Sequence, residues 1–208
     1  PIHFKYQEVF NKLGFQIDLS KDHSYPMPKT LNNFEITNNN PKVGIAPFAR
    51  HIGKVYPLDL MQKIIAYLSQ NNQVFLFGFG DELKILEKWK SSYKNVDCPS
   101  CNSNFKQEIE LISNLDLMIS MDSANGHIAS IYNVPVITIW GLTHPFTGFS
   151  TFNSVEENQF TVDRTKFPLI PTSIYGNKKI KGYEDAMRSI DLNGLLFRAD
   201  QILNQTSS

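Results

Sequence analysis

From Lys42 onward the chain alternates short, wholly apolar runs with segments whose apolar residues recur every three or four positions. The runs Lys42–Ala46, Gln73–Gly78, Asn95–Asp97, Asp116–Ser120 and Pro135–Trp140 read as strands. Between them, Leu58–Ser69, Asp81–Trp89, Phe105–Ser113 and Ala124–Tyr132 read as helices; in the second of these Leu83, Leu86 and Trp89 share one face. Strands such as Val74-Phe75-Leu76-Phe77, with no polar alternation, belong to a sheet covered on both sides. The alternation predicts an α/β chain with an open, Rossmann-like, doubly wound parallel sheet. In such a sheet the ligand lies at the carboxyl ends of the strands, which directs attention to the loops after Ala46, Gly78, Ser120 and Trp140.

The flanks read differently. Phe4, Val9, Phe10 and Leu13 fall at helical spacing before Gly14, a helix stop. Ser20 to Pro41 is polar and broken by Pro26, Pro28 and the Asn38–Asn40 run, which predicts a long connection with one extended segment at Leu31–Ile36. Residues 1–40 are thus expected to be a helix and linker, and 41–208 the Rossmann-like domain. Past Phe152 the pattern weakens, with turns at Pro168, Pro171 and Gly176, until Leu192–Leu203 closes the chain as a helix.

Composition narrows the function. With 41% hydrophobic residues, 15 Phe and 8 Tyr in 208 positions, the chain is too apolar for disorder. Twenty Lys+Arg balance twenty Asp+Glu, so no global field favours nucleic acid or an anionic membrane, and an anion must be held locally. No apolar run approaches the roughly 20 residues that span a bilayer, which predicts a soluble protein. The start at Pro1, without an initiator Met or a leader, predicts a piece of a longer polypeptide. Two cysteines make no disulfide framework and fit a reducing compartment.

The strongest local signal is Met121-Asp122-Ser123-Ala124-Asn125-Gly126-His127, where a strand gives way to a helix. Asp122 and Ser123 are expected to cap that helix, whose exposed N–H groups and positive dipole end suit a phosphate or diphosphate. His127 projects from the same end about one turn later. In the loop Ala46–Pro57, Arg50, His51 and Lys54 cluster after the first strand, where a cation can neutralise a departing diphosphate. Glu82, in the Gly78-Phe79-Gly80-Asp81-Glu82 turn, reads either as a ribose-binding carboxylate or as an ordinary helix N-terminal acid. Thr143, in Gly141-Leu142-Thr143-His144-Pro145, offers a hydroxyl to a phosphate oxygen.

Other chemistries lose ground. The glycines complete neither G-x-G-x-x-G nor G-x-x-x-x-G-K-[ST], which weighs against NAD and P-loop sites, and neither G-x-S-x-G nor H-E-x-x-H occurs. Cys98-Pro99-Ser100-Cys101 invites a redox reading, but it sits in the wrong unit for a thioredoxin-like fold, and two reduced structural thiols fit better.

Taken together, the loops resemble glycosyltransferase family 9, the lipopolysaccharide heptosyltransferase family, in its C-terminal half. The resemblance rests on A-P-F-A-R-H-I-G-K-V-Y-P at 46–57, L-F-G-F-G-D-E at 76–82, L-I-S-N-L-D-L-M-I-S-M-D-S-A-N-G-H at 111–127 and V-P-V-I-T-I-W-G-L-T-H-P at 134–145. It implies the donor-binding domain of a two-domain GT-B enzyme that inverts configuration and needs no metal or other cofactor. By the same likeness Lys54, and with it the loop of Arg50, meets the donor phosphates, Glu82 the ribose, and Asp122 the donor sugar. Ser123 and Ala124 meet the diphosphate through backbone N–H groups, with Asn125 and His127 in the same pocket and Thr143 on the phosphate side. The general base is expected on an N-terminal acceptor domain outside this chain. The substrates that the resemblance implies are ADP-heptose and a lipopolysaccharide-core or other glycan acceptor, in a bacterial cytoplasm with peripheral contact to the inner membrane. The sequence departs from the family pattern at Asn125-Gly126, at His144, where Asp is commoner, and at Tyr56, where Trp is. Another donor or an epimerase activity, or a non-catalytic nucleotide-binding module, remain alternatives.

Overall fold

Six parallel strands form one sheet in the order β3-β2-β1-β4-β5-β6. They are β1 (Lys42–Ala46), β2 (Gln73–Leu76), β3 (Val96–Asp97), β4 (Leu117–Met121), β5 (Val136–Ile139) and β6 (Gln159–Phe160). The helices are α1 (Ile2–Lys12), α2 (Leu58–Leu68), α3 (Glu82–Ser92), α4 (Phe105–Ile112), α5 (Ala124–Ile131) and α6 (Leu192–Thr206). This computed structural model describes residues 1–19, 24–31, 34, 39–152, 154–178 and 180–206. The extended segment expected at Leu31–Ile36 falls largely outside them, although Leu31 and Phe34 pack against the core.

The sheet is covered on both faces because consecutive residues of each strand enter different cores. Val43, Ile45, Val74, Leu76, Leu117, Ile119, Ile137 and Ile139 join Ile64, Ile65 and Leu68 of α2, Leu86 of α3 and Leu195 and Ala199 of α6. Ala46, Phe75, Phe77, Met118 and Val136 face the other way, onto Leu111 and Ile112 of α4 and Ala129 of α5. With apolar side chains needed on both faces, period-two alternation disappears from the sequence. Removal of these side chains from water at about 25 cal/mol per Å² is what holds the layers together.

Two features were not legible in the pattern. A sixth strand, β6, follows the weak stretch after Phe152 and is fixed by long-range bonds: the Trp140 backbone N–H donates to the Phe160 carbonyl at 2.8 Å, and the Trp140 indole N–H to Gln159 Oε1 at 2.8 Å. Helix α1 forms as expected, yet none of its residues is buried. Tyr6, Val9, Phe10 and Leu13 are exposed, and α1 touches the domain through its first turn, where the Ile2 N–H donates to the Gly148 carbonyl at 2.8 Å.

Candidate functional site

The chain leaves β1 toward β2 and β3 on one side of the sheet and returns to build β4, β5 and β6 on the other. The strand order therefore reverses between β1 and β4, where Ala46 pairs with Ser120. A crevice opens beyond such a switch point because the flanking connections diverge. Into it come two of the four loops singled out from sequence, 47–57 after β1 and 122–123 after β4.

Lys54 closes a 3-10 turn, Ile52–Lys54, in which its N–H donates to the His51 carbonyl at 2.8 Å. Buried Tyr56 and the Pro57 start of α2 anchor the loop's far end. Lys54 Nζ donates to Asp122 Oδ2 at 2.5 Å, with the two side chains only 13% and 8% exposed. An ion pair so far removed from solvent is little screened and leaves a positive group beside a helix start.

That helix start is open. Ser123 occupies the N-cap position of α5 with extended backbone (φ −149°, ψ 170°) but makes no side-chain cap bond. The capping expected from Asp122 and Ser123 is thus corrected: Asp122 is taken by Lys54, and Ser123 Oγ is buried with no hydrogen-bond partner. Helix α4 shows the contrast, since Asn104 and Gln107 satisfy each other's backbone N–H groups in a full capping box. First-turn N–H groups without a side-chain cap carry the positive end of the dipole toward any anion in the crevice. Thr143, fully buried, adds a second hydroxyl with no partner. Buried polar groups are normally satisfied, and Ser123 and Thr143 are two of several buried hydroxyls left without a partner among the described residues.

His127 lies one turn into α5, half-buried. Burial holds its pKa below the ordinary histidine value, with Asp122 raising it and Lys54 lowering it. The imidazole is therefore neutral near pH 7. Helix α1 brings a further histidine that sequence reasoning missed: His3 packs edge-on to Phe152 at 5.2 Å between ring centroids, and its pKa is lowered by burial first, then by the charged N-terminus and by His127. Only tertiary packing brings His3 of α1 against Phe152.

The remaining candidates separate. Glu82, half-buried, accepts the Phe79 N–H through Oε2 at 2.8 Å and so closes the turn after β2. This supports its reading as a helix N-terminal acid. Ala124 is exposed and Asn125 half-buried at the α5 start. Arg50 is exposed on its loop, so Lys54 alone of that basic pair turns inward to Asp122. His144 accepts the Phe146 N–H through Nδ1 at 3.3 Å and caps the turn after β5, which is the service an Asp gives at such a position. Gly126 is required by close approach, because a Cβ there would lie 2.5 Å from Ser120 Oγ on β4.

Cys98 and Cys101 are free thiols, and burial pushes Cys98 well above the usual thiol range, away from the reactive thiolate. Among the described residues no group of three or more His, Cys, Asp or Glu is placed to hold a metal ion. Nor is any described helix long and apolar enough to cross a membrane.

The fold and the candidate site define a doubly wound α/β domain with a crevice at its topological switch point, lined by the Lys54–Asp122 pair and the start of α5. The sequence profile of glycosyltransferase family 9 (heptosyltransferase) matches residues 4–168, and the chain belongs to that family. Comparison with curated proteins finds no match. Among solved structures, the chain is similar to E. coli ADP-heptose lipopolysaccharide heptosyltransferase II, with a TM-score of 0.61 and 16% identity, over 83% of this chain and 49% of that one. A family 9 glycosyl transferase from Veillonella parvula DSM 2008 gives 0.63 and 13%, over 97% and 51%. E. coli heptosyltransferase WaaC, solved with ADP, gives 0.57 and 14%, over 80% and 45%. At these identities the likeness is one of fold, and the chain spans about half the length of each of these relatives.

Proposed function

We propose that this chain is the donor-binding part of an inverting glycosyltransferase that takes a nucleotide-diphosphate sugar, with ADP-heptose as donor and a lipopolysaccharide-core glycan as acceptor. The observation that carries the reading is the Lys54–Asp122 pair set against the uncapped start of α5. A diphosphate brings negative charge and several acceptor oxygens, and the crevice supplies a cation, free N–H groups and the hydroxyls of Ser123 and Thr143. Family membership and the fold shared with a heptosyltransferase solved with ADP support an adenine nucleotide.

In this reading Lys54 and the α5 dipole neutralise the charge that grows on the diphosphate as the glycosidic bond breaks, the task a metal performs elsewhere. Asp122, released from Lys54 by the phosphates, accepts hydroxyl groups of the donor sugar. Neutral His127 donates or accepts a hydrogen bond in the same pocket, and Glu82 keeps the loop beneath the ribose in shape. Inversion needs a base on the face opposite the leaving group, and we assign it to an acceptor domain outside these residues. The protein then works in the cytoplasm, next to the membrane that carries its acceptor.

Calorimetric titration with ADP, UDP and GDP tests the assignment. ADP is expected to bind in preference, and Lys54→Ala to weaken it; preference for a pyrimidine or guanine nucleotide, or indifference to Lys54, removes the reading.

A further inference from the structure

Three segments distant in sequence meet behind Lys54, and each contributes a glycine. Gly53 comes from the loop after β1, Gly141 from the end of β5, and Gly176 from a stretch beyond the residues matched by the family profile. A Cβ at Gly141 would overlap the Gly53 carbonyl oxygen and lie 2.8 Å from Lys54 Cα, both backbone atoms. At Gly53 it would lie 2.5 Å from the Gly176 carbonyl oxygen, and at Gly176 it would lie 3.0 Å from Thr143 Cγ2 and 3.2 Å from Lys54 Cγ. Backbone hydrogen bonds lace the same segments together: the Leu142 N–H donates to the Gly53 carbonyl at 2.8 Å, and the Thr172 N–H to the Leu142 carbonyl at 3.0 Å.

Conformation does not explain all three glycines. Gly176, at φ +62°, occupies the left-handed region, but Gly53 and Gly141 do not. At those two positions what excludes a side chain is the approach of another backbone. Lys54 is consequently confined at two levels, its Cα by Gly141 and its Cγ by Gly176, with Nζ left to reach Asp122. A lysine loses much rotamer freedom on binding a ligand, and a stem already confined loses less.

We infer that Gly53, Gly141 and Gly176 are positioning residues that fix Lys54 for the donor diphosphate. This rests on the reading of Lys54 as the phosphate-binding cation. The glycines touch no ligand; they act through the lysine.

A double-mutant cycle tests the inference: ADP dissociation constants for wild type, Gly141→Ala, Lys54→Ala and the double variant, each with its melting temperature. Gly141→Ala is expected to weaken ADP about tenfold when Lys54 is present and less than about twofold when it is absent, the non-additivity of coupled neighbours. Gly176→Asn provides a second arm that does not depend on Gly141→Ala folding, since Asn tolerates the left-handed region and its Cβ would meet side-chain atoms of Thr143 and Lys54 at 3.0 and 3.2 Å, tight contacts but with no backbone atom closer than 3.7 Å. It is expected to weaken ADP about threefold with Lys54 present and less without it, both in the wild-type background and in Thr143→Val, which removes the hydroxyl that the new Cβ would otherwise disturb. Equal losses with and without Lys54, or no loss from a folded variant, overturn the inference while leaving the donor site in place. Wild-type protein that binds no ADP, or binds it equally well without Lys54, overturns the functional reading and the inference with it.

Discussion

Lys54 and Asp122 stand 68 positions apart and meet at 2.5 Å across the crevice between β1 and β4. Each is the other's counterion, and a bound anion must take Lys54 from Asp122. Their substitutions therefore have opposite signs. Lys54→Ala is expected to weaken ADP binding by about 1.5–3 kcal/mol, the worth of a charge-assisted contact. Asp122→Asn removes the competing carboxylate and is expected to tighten free ADP by up to about fivefold, or ~1 kcal/mol. Calorimetry on both variants, with folding checked by circular dichroism, decides; changes of the same sign contradict the competition.

Acid sensitivity follows from His127. Its folded pKa is held below the unfolded one, with burial the largest cause. Between the ordinary value of about 6.5 and that lowered value, the unfolded chain holds more protons than the folded one, so stability falls as pH drops through this window. His3 and His144 are shifted the same way, again with burial first. The urea midpoint is expected to fall from pH 7.5 to pH 5.5, and less steeply in His127→Gln. A wild-type midpoint that stays flat or rises on acidification contradicts the shift.

The close approach of α5 to β4 gives a packing test. A Cβ on Gly126 would stand 2.5 Å from Ser120 Oγ, and both residues are buried. Gly126→Ala is expected to destabilise by about 1–3 kcal/mol, the range of an overpacked core. Ser120→Ala removes the opposing atom, so in that background the cost should shrink. Additive urea-denaturation energies would show that the clash lies elsewhere.

Tyr56 is fully buried with its hydroxyl unpartnered, and its pKa is pushed up to about 12, chiefly by burial. A buried hydroxyl without a bond costs roughly 1–3 kcal/mol, so Tyr56→Phe is expected to leave stability unchanged or to raise it. A clear drop in the denaturation midpoint would reveal a hydrogen bond that the buried ring conceals.

The sequence by itself determined the layers of this protein. Apolar runs such as Val74–Phe77 could only be strands covered on both faces, because no polar residue marks a side turned to water. The loops that carry the site were legible for the same reason, since in a doubly wound sheet the strand ends dictate where a ligand sits. Strand β6 was not legible: two residues with no periodicity become a strand only because Trp140 and Gln159 hold them beside β5.

Within the candidate site, residue types suggested a chemistry and only tertiary structure decided which of them meet. Arg50 and Lys54 are both basic and four positions apart, yet only Lys54 reaches Asp122, because a turn and buried Tyr56 aim it inward while Arg50 remains in water. Asp122 and Ser123 form a convincing cap in sequence, yet a charge-assisted bond to Lys54 outcompetes capping and leaves the helix start open. His3 packs on Phe152, and Gly176 lies against Lys54, across separations of well over 100 residues. Local patterns fix what lies within a turn or a strand; which loop ends converge depends on the order in which parallel strands are laid side by side, and only the folded chain contains that order.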